Sequence, residues 1–100
     1  MDERINGSIR MISDAQAYYL RPAAFDGGEN SFDGLSLSAI EYATNADGQH
    51  VRESRSGAVH TYALSVADGV VTILASSDRS DSVIRTTADG PKAEDISISF

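Results

Sequence analysis

The tripeptide Ala-Asp-Gly occurs three times in this chain at a constant spacing of 21 residues, at 46–48, 67–69 and 88–90. Asp-Gly between apolar or β-branched runs is a strong hairpin signal, because both residues tolerate the positive φ angles of tight hairpin turns. Two further polar breaks, at 54–57 and 77–80, lie between these tripeptides. A strand out, a turn and a strand back explain the spacing, so the sequence predicts an up-and-down meander. The flanking residues do not otherwise repeat, which argues against a solenoid.

These turns bound five predicted strands, near residues 49–53, 58–66, 70–76, 82–88 and 94–100. Apolar and polar residues alternate clearly in two of them. The second strand places on one face His60, Tyr62, Leu64 and Val66. The last strand places on one face Ile96, Ile98 and Phe100. One face of the sheet is therefore expected to be apolar and to need a cover.

Helical periodicity runs from about residue 2 to residue 20. Apolar residues recur there at steps of four, three and seven: Ile5, Ile9, Ile12 and Tyr19. Met11, Ala15 and Tyr18 widen this stripe, and Arg21-Pro22 ends the helix because the residue before proline avoids the α region. We therefore predict a single α+β domain over 1–100, with the helix packed on an antiparallel meander sheet of four to five strands that spans about 49–100.

Residues 22–34 predict an ordered loop rich in glycine. Gly27, Gly28 and Gly34 supply backbone freedom. Phe25 and Phe32 are expected to be buried and to hold the loop against the domain. Residues 35–43 alternate at first like a strand and later like a helix, so both interpretations stay open for that segment.

The charge of the chain limits its partners. Net charge is −7, and Lys92 is the one lysine among eight basic residues. Such a chain cannot neutralise a row of phosphates, so we expect no nucleic-acid partner. An aspartate-rich, lysine-poor surface is typical of a salt-loving source, and it equally fits an ordinary acidic secreted or surface protein. The hydrophobic share of 41% and the charged share of 23% are ordinary for a folded domain.

The sequence contains no pattern that indicates catalysis. There is no cysteine, and His50 and His60 belong to no metal-binding or nucleophilic motif. Neither a G-x-S-x-G elbow nor a glycine-rich phosphate loop is present, so we predict no enzyme and no cofactor. Weak candidates for calcium lie in the glycine-rich loop, although their spacing does not match a calcium-binding loop: Asp26, Glu29 and Asp33.

Two runs resemble a family of filament proteins. Residues 15–22 read Ala-Gln-Ala-Tyr-Tyr-Leu-Arg-Pro, and residues 27–32 read Gly-Gly-Glu-Asn-Ser-Phe. Together they resemble the region that follows the long helix in type IV pilin-like (prepilin-type) proteins. The detailed likeness covers about a fifth of the chain, and the order of helix and meander covers nearly all of it. The lack of cysteine disfavours a major pilin of the disulfide-closed kind and leaves a minor pilin or pseudopilin.

The resemblance implies a structural subunit of a type IV pilus-like or pseudopilus filament. It implies that the helix is the second half of a longer one, whose missing first half anchors the protein in a membrane before assembly at the cell surface or in the periplasm. Its partners would be other pilin-like subunits, which it would contact through the N-terminal helix. Expected packing and assembly residues are Ile5, Ile9, Ile12, Tyr18, Tyr19 and Phe32. A non-catalytic extracellular module that binds a small ligand or carbohydrate remains the alternative, and it should expose a row of aromatic side chains.

Overall fold

The computed structural model describes residues 2–100 and has one α-helix followed by five strands. The helix α1 spans Glu3–Leu20. The strands are β1 (His50–Glu53), β2 (Val59–Ala67), β3 (Val70–Ser77), β4 (Ser80–Ala88) and β5 (Ile96–Ser99). They form one sheet in the order β1-β2-β3-β4-β5, with every neighbouring pair antiparallel. The predicted α+β fold, a helix on an antiparallel meander, is confirmed.

The central Asp-Gly pair forms the predicted tight hairpin. Ala67 pairs with Val70 across a two-residue turn. Asp68 and Gly69 have φ angles of 53° and 77°, the positive values that a type I′ turn needs at both central residues. This turn type matches the natural twist of the two strands, so β2 and β3 form the longest paired register of the sheet.

The other two Ala-Asp-Gly tripeptides are not tight hairpins between strands. Gly48 has a φ of 75°, but its turn leads into β1 and no strand precedes it. The third tripeptide opens a longer connection through the 3-10 turn Ala93–Asp95. There a Cβ on Gly90 would lie 2.6 Å from Oδ2 of Asp95, so a side chain at this position would have to displace that carboxylate. The constant spacing thus predicted the topology correctly and the turn type only once.

Helix α1 packs across β3 and β4 and leaves β1 uncovered. The inner face of the sheet, the face towards α1, is apolar on these two strands. The core draws side chains from the helix, the loop and the sheet: Met11, Ile12, Ala15, Tyr18, Phe32, Leu35, Leu37, Tyr62, Val71, Ile73, Ala75, Ile84 and Ala88. The outer face is rich in serine and threonine, as expected for an antiparallel sheet with one face in water.

The buried stripe of α1 is shifted from the predicted one. Ile12 is fully buried, but Ile5, Ile9 and Tyr19 are only half-buried. The fully buried positions include three polar residues that hydropathy places outside: Arg4, Ser8 and Gln16. Two of these donate hydrogen bonds to backbone carbonyls of β4 and of the connection that follows it. Arg4 Nη1 donates to Ser82 O at 2.8 Å, and Gln16 Nε2 donates to Lys92 O at 2.8 Å and to Gly90 O at 3.0 Å.

One predicted apolar contact is wrong, and the predicted apolar face of the last strand is only partly covered. Phe25 does not hold the loop, because it lies in a short 3-10 turn (Ala23–Phe25) with 70% of its surface exposed. Ile98 and Phe100 are 37% and 80% exposed, since β5 is an edge strand beyond the helix. The ambiguous segment 35–43 is neither strand nor α-helix. It contains a 3-10 turn, Ser38–Ile40, and it buries Leu35 and Leu37.

Within residues 2–100, no helix is both long enough and apolar enough to cross a membrane.

Candidate functional site

A polar cleft of about 400 Å³ opens between the first half of α1 and the β1–β2 end of the sheet. The helix contributes Glu3, Asn6, Gly7 and Arg10. The sheet contributes Arg52 from β1 and both His60 and Tyr62 from β2. We call this space the Arg10–Arg52 cleft. It exists because α1 lies over β3 and β4, which leaves the inner face of β1 without a helical cover.

Strand register fixes the sheet side of the cleft. Arg52 pairs directly with His60, and His50 pairs with Tyr62 two residues further along. Directly paired residues point to the same face of an antiparallel sheet with Cβ atoms about 5 Å apart. His60 and Tyr62 are buried against the helix, so all four side chains belong to the inner face.

The helix side of the cleft is a single stripe at helical spacing. Glu3, Gly7 and Arg10 recur at steps of four and three, and Asn6 lies beside them. At Gly7 the helix lies directly against Tyr62 of β2. A Cβ there would lie 2.8 Å from Cζ of Tyr62 and closer still to its hydroxyl. Glycine is therefore required for the helix to sit against Tyr62, which explains a residue that costs helix stability in isolation.

The polar atoms that line the cleft have few protein partners. His60 and Tyr62 are 6% and 2% exposed, and neither side chain forms a hydrogen bond with any group of residues 2–100. Their polar atoms are not fully buried, since only the Ser8 and Thr86 hydroxyls of that range are buried without a partner, so they can reach the cleft. Two ion pairs occur within residues 2–100, Arg4–Asp2 and Lys92–Glu94. Neither Arg10 nor Arg52 belongs to one of them. Burial raises the pKa of the Tyr62 hydroxyl, which keeps that group protonated and able to donate.

An aromatic chain borders the cleft at the middle of the helix. The ring centroids of Tyr42 and His50 are 5.4 Å apart, and those of His50 and Tyr62 are 6.0 Å apart. His50 Nδ1 lies 2.8 Å from Ala43 O, so this ring nitrogen carries a proton and donates to the carbonyl. Tyr42 donates to Asp14 Oδ2 at 2.6 Å. Burial, and then this hydrogen bond, raise the pKa of Tyr42.

The loop after α1 is built by the residues that carry the pilin-like resemblance. Gly28 N donates to Tyr18 O at 2.8 Å, and Asn30 N donates to Tyr19 O at 2.6 Å, so the loop satisfies the last carbonyls of the helix. The rings of Tyr19 and Phe32 lie 4.7 Å apart, and Phe32 is buried. Tyr18 also donates its hydroxyl proton to Asp33 O at 2.9 Å. These six residues form one ordered unit.

The weak calcium candidates do not converge. Asp26, Glu29 and Asp33 are all exposed, and among residues 2–100 no three His, Cys, Asp or Glu side chains come together as a metal-binding group. Asp26 and Glu29 adopt left-handed φ angles of 61° and 48°. Their role in the described structure is to turn the loop.

The residues that were predicted for packing and assembly fall into two groups. Ile12, Tyr18 and Phe32 are core residues. Ile5 and Tyr19 are half-buried against the core, and Ile9 is half-buried beside it. None of the predicted packing and assembly residues lines the cleft.

The cleft residues were missed, apart from His60 and Tyr62 as inner-face residues of β2. One sequence signal could have found Arg52. A short turn at 54–57 joins the first two strands, and pairing them across that turn places Arg52 opposite His60. Arg10 needed the three-dimensional packing of the helix, which no spacing in the sequence gives.

Chemically, the Arg10–Arg52 cleft offers positive charge and hydrogen-bond donors around one carboxylate, that of Glu3. Comparison of the chain with protein-family models, with curated proteins and with solved structures gives no match.

Proposed function

We propose that this domain is a structural subunit of a type IV pilus-like or pseudopilus filament and acts by assembly, without catalysis. One observation carries the proposal. The residues that resemble pilin-like proteins, from Tyr18 to Phe32, form a single physical unit that closes the helix and leads into the meander. A chance resemblance would have no reason to coincide with such a unit.

The requirement for glycine in that unit supports the proposal further. A Cβ on Gly27 or Gly28 would overlap backbone atoms of Arg21 or Ser31, so neither position accepts another residue without rearrangement. The Gly-Gly pair of the resembling motif is thus dictated by the path of the chain. In pilin-like proteins the same order of elements positions the globular head on its helix.

In this proposal α1 is the second half of a longer helix. The first half would anchor the protein in a membrane before assembly and would form the filament core afterwards. The partners would be other pilin-like subunits, and the location would be the cell surface or the periplasm. The half-buried side chains Ile5 and Ile9 lie near the start of α1, where a neighbouring helix would meet it.

The gene sequence upstream of the codon for Asp2 tests this proposal. We expect a short basic leader followed by about 20 apolar residues, the length that a membrane span requires. A cleavable signal peptide, or another soluble domain in that place, contradicts the proposal. Cross-linking between cysteines placed at Ile5 or Ile9 in the full-length protein on cells is the second measurement. A ladder of subunits is expected at these positions and not at an outer-face control, Ser65.

A small-ligand-binding module is the second candidate, and the Arg10–Arg52 cleft favours it. The carbohydrate form of that idea has less support. Of the seven aromatic residues, the two that are well exposed are Phe25 and Phe100, in a loop and at the last position of the chain. The row of exposed aromatic rings on which a sugar would stack is therefore missing from residues 2–100.

A further inference from the structure

Two guanidinium groups line the Arg10–Arg52 cleft without a carboxylate partner among residues 2–100. Glu3 also lines the cleft, yet it makes no ion pair with either arginine. Guanidinium groups stay charged at any physiological pH, so both contribute positive charge to the same space. The chain as a whole is acidic, with 15 acidic residues and eight basic ones, so the cleft differs in charge from the rest of the chain. An anion bound between the two arginines would pair with both.

Buried polar side chains give a second and independent indication. Buried polar groups in proteins are nearly always hydrogen-bonded, to protein or to water. The residues His60 and Tyr62 are more than nine-tenths buried and line the cleft, and their side chains form no hydrogen bond in the part of the chain that the structure describes. Their polar atoms are not among the fully buried ones without a partner, which are the Ser8 and Thr86 hydroxyls, so they stay open to the cleft. Their unused hydrogen-bonding capacity therefore faces the same space as the two guanidinium groups.

The framework that holds these groups is rigid. Arg52 and His60 form a direct cross-strand pair, and Tyr62 is wedged against Gly7 of the helix. Side chains that are fixed by strand register and packing lose little entropy when a ligand binds. Only the guanidinium ends of Arg10 and Arg52, both on exposed residues, need to adjust.

We propose that the Arg10–Arg52 cleft binds a small organic oxyanion, a carboxylate or a phosphate. Arg10 and Arg52 supply the charge and the paired N–H donors that match the oxygens of such a group. Tyr62, Asn6 and His60 supply hydrogen bonds to the rest of the ligand. The volume of about 400 Å³ is at the small end of ligand pockets, which suits a metabolite-sized ligand and not a polymer.

Charge balance in the cleft limits the ligand further. Two arginines and one glutamate leave a net charge of +1 when the histidine is neutral. A ligand with one or two negative charges is therefore matched, and a polyanion is repelled by Glu3 and by the net charge of −7 on the chain. This inference does not depend on the filament proposal, because the cleft lies apart from the loop unit of residues 18–32.

The test is a titration of ¹⁵N-labelled protein at low ionic strength, followed by NMR chemical shifts. The probes are inorganic phosphate and succinate, and sodium chloride at matched ionic strength is the control. We expect saturable shifts at the amides of Gly7, Arg52 and Tyr62, with dissociation constants below about 5 mM for at least one probe. The probe that saturates identifies the phosphate or the carboxylate source.

Arg52→Gln and Arg10→Gln should each weaken binding at least about tenfold, because each removes one charged partner of the ligand. Arg85→Gln is the matched control, since Arg85 is an exposed arginine on the outer face of β4. Its affinity should match that of the unchanged protein. Urea unfolding of all three variants checks that the fold is intact, and exposed arginines without ion pairs predict little change.

Three results overturn the inference. One is the absence of saturation with either probe up to about 50 mM, which is weaker than a built site gives. Another is an equal loss of affinity in Arg85→Gln, which would mean general charge screening. The third is a set of shifts scattered over the surface instead of gathered at the cleft.

Discussion

The inner face of the sheet has two halves that share one backbone architecture and differ in chemistry. On β3 and β4, which we call the covered half, the inner positions are apolar except for one hydroxyl: Val71, Ile73, Ala75, Ile84, Thr86 and Ala88. On β1 and the start of β2, which we call the open edge, they are titratable, charged or aromatic: His50, Arg52, His60 and Tyr62. The helix packs on the first and leaves the second beside a cleft.

This difference places the residues that stabilise the fold and the residues of the cleft in separate parts of one small domain. Apolar burial in the covered half stabilises the fold by roughly 25 cal/mol per Å² of apolar surface that is removed from water. The open edge buries polar groups that give little net stability and that are costly when left without partners. Residues that contribute little to stability are best explained by a role outside the fold, and ligand recognition is the role that we propose for them here.

The largest expected effect comes from Ile12→Ala, which breaks the covered half. Ile12 is fully buried in the contact between helix and sheet, so the free energy of unfolding should fall by about 2 to 5 kcal/mol. Urea denaturation measures it. Ile9→Ala on the same helix is the matched control and should cost clearly less, because Ile9 is half-buried. Losses under about 0.5 kcal/mol at both positions would mean that the helix is not seated on the sheet.

Gly7→Ala tests the boundary between the two halves. Alanine is the better helix former by about 1 kcal/mol, so helix propensity alone predicts a more stable protein. The new Cβ meets the Tyr62 ring, however, and we expect a net loss of about 1 to 3 kcal/mol from overpacking.

The matched control for Gly7→Ala is the same change combined with Tyr62→Phe, which removes the hydroxyl that lies nearest the new Cβ. Part of the lost stability should return. A stabilised Gly7→Ala variant would show that the helix does not approach β2 so closely.

Thr86→Val should sharpen the apolar character of the covered half. The Thr86 hydroxyl is fully buried and has no hydrogen-bond partner among residues 2–100. The folded protein gives this hydroxyl no hydrogen bond in exchange for the one that it loses to water. Replacing it by a methyl group of similar shape removes that cost, so stability should rise by about 1 kcal/mol. Thr87→Val on the outer face of the same strand should change stability little. Equal effects at both positions would instead reflect the general β-propensity of valine.

The smallest effect is the pH dependence at the start of the helix. The hydrogen bond from the Arg4 side chain holds the pKa of Asp2 below its usual value, against a partial opposing effect of burial. Asp2 therefore stabilises the folded state above the ordinary pKa of aspartate, and this contribution is lost as pH falls through the lowered pKa.

Asp2→Asn keeps the helix N-cap and removes the charge. The stability difference between the unchanged protein and Asp2→Asn should therefore shrink between about pH 5 and pH 2. A difference that stays constant over this range would mean that the Asp2 carboxylate does not sense Arg4 in solution. The effect is small because the Asp2 side chain is 37% exposed.

The elements of the fold could be predicted because their signals are local. The Asp68-Gly69 turn, the alternation along β2 and the proline after the helix each act over a few residues. The burial of Arg4 and Gln16 could not be predicted, since their acceptors, Ser82 and Gly90, lie 78 and 74 residues away. Hydropathy assigns such residues to the surface, and only tertiary hydrogen bonds bring them inside.

The cleft needed two pieces of information that the sequence does not display. One is the register of β1 on β2, because a shift of one residue would move the side chains of β1 to the other face of the sheet. The other is the angle of the helix, which Gly7 fixes by its contact with Tyr62. Phe25 shows the opposite error, because a large aromatic residue in a loop was expected inside and lies outside. Apolar character alone does not decide burial where no surface is free to receive the side chain.

The order of the strands has a consequence for how this chain reaches its structure. Every strand pairs with its neighbour in sequence. The sheet can therefore form strand by strand from the Asp68-Gly69 hairpin, and each step closes only a short loop. The helix belongs to the other end of the chain, and its docking on β3 and β4 closes the longest loops of all. We therefore expect α1 to dock late, after the rate-limiting step. Ile12→Ala should then mainly speed unfolding, whereas weakening the central turn should mainly slow folding.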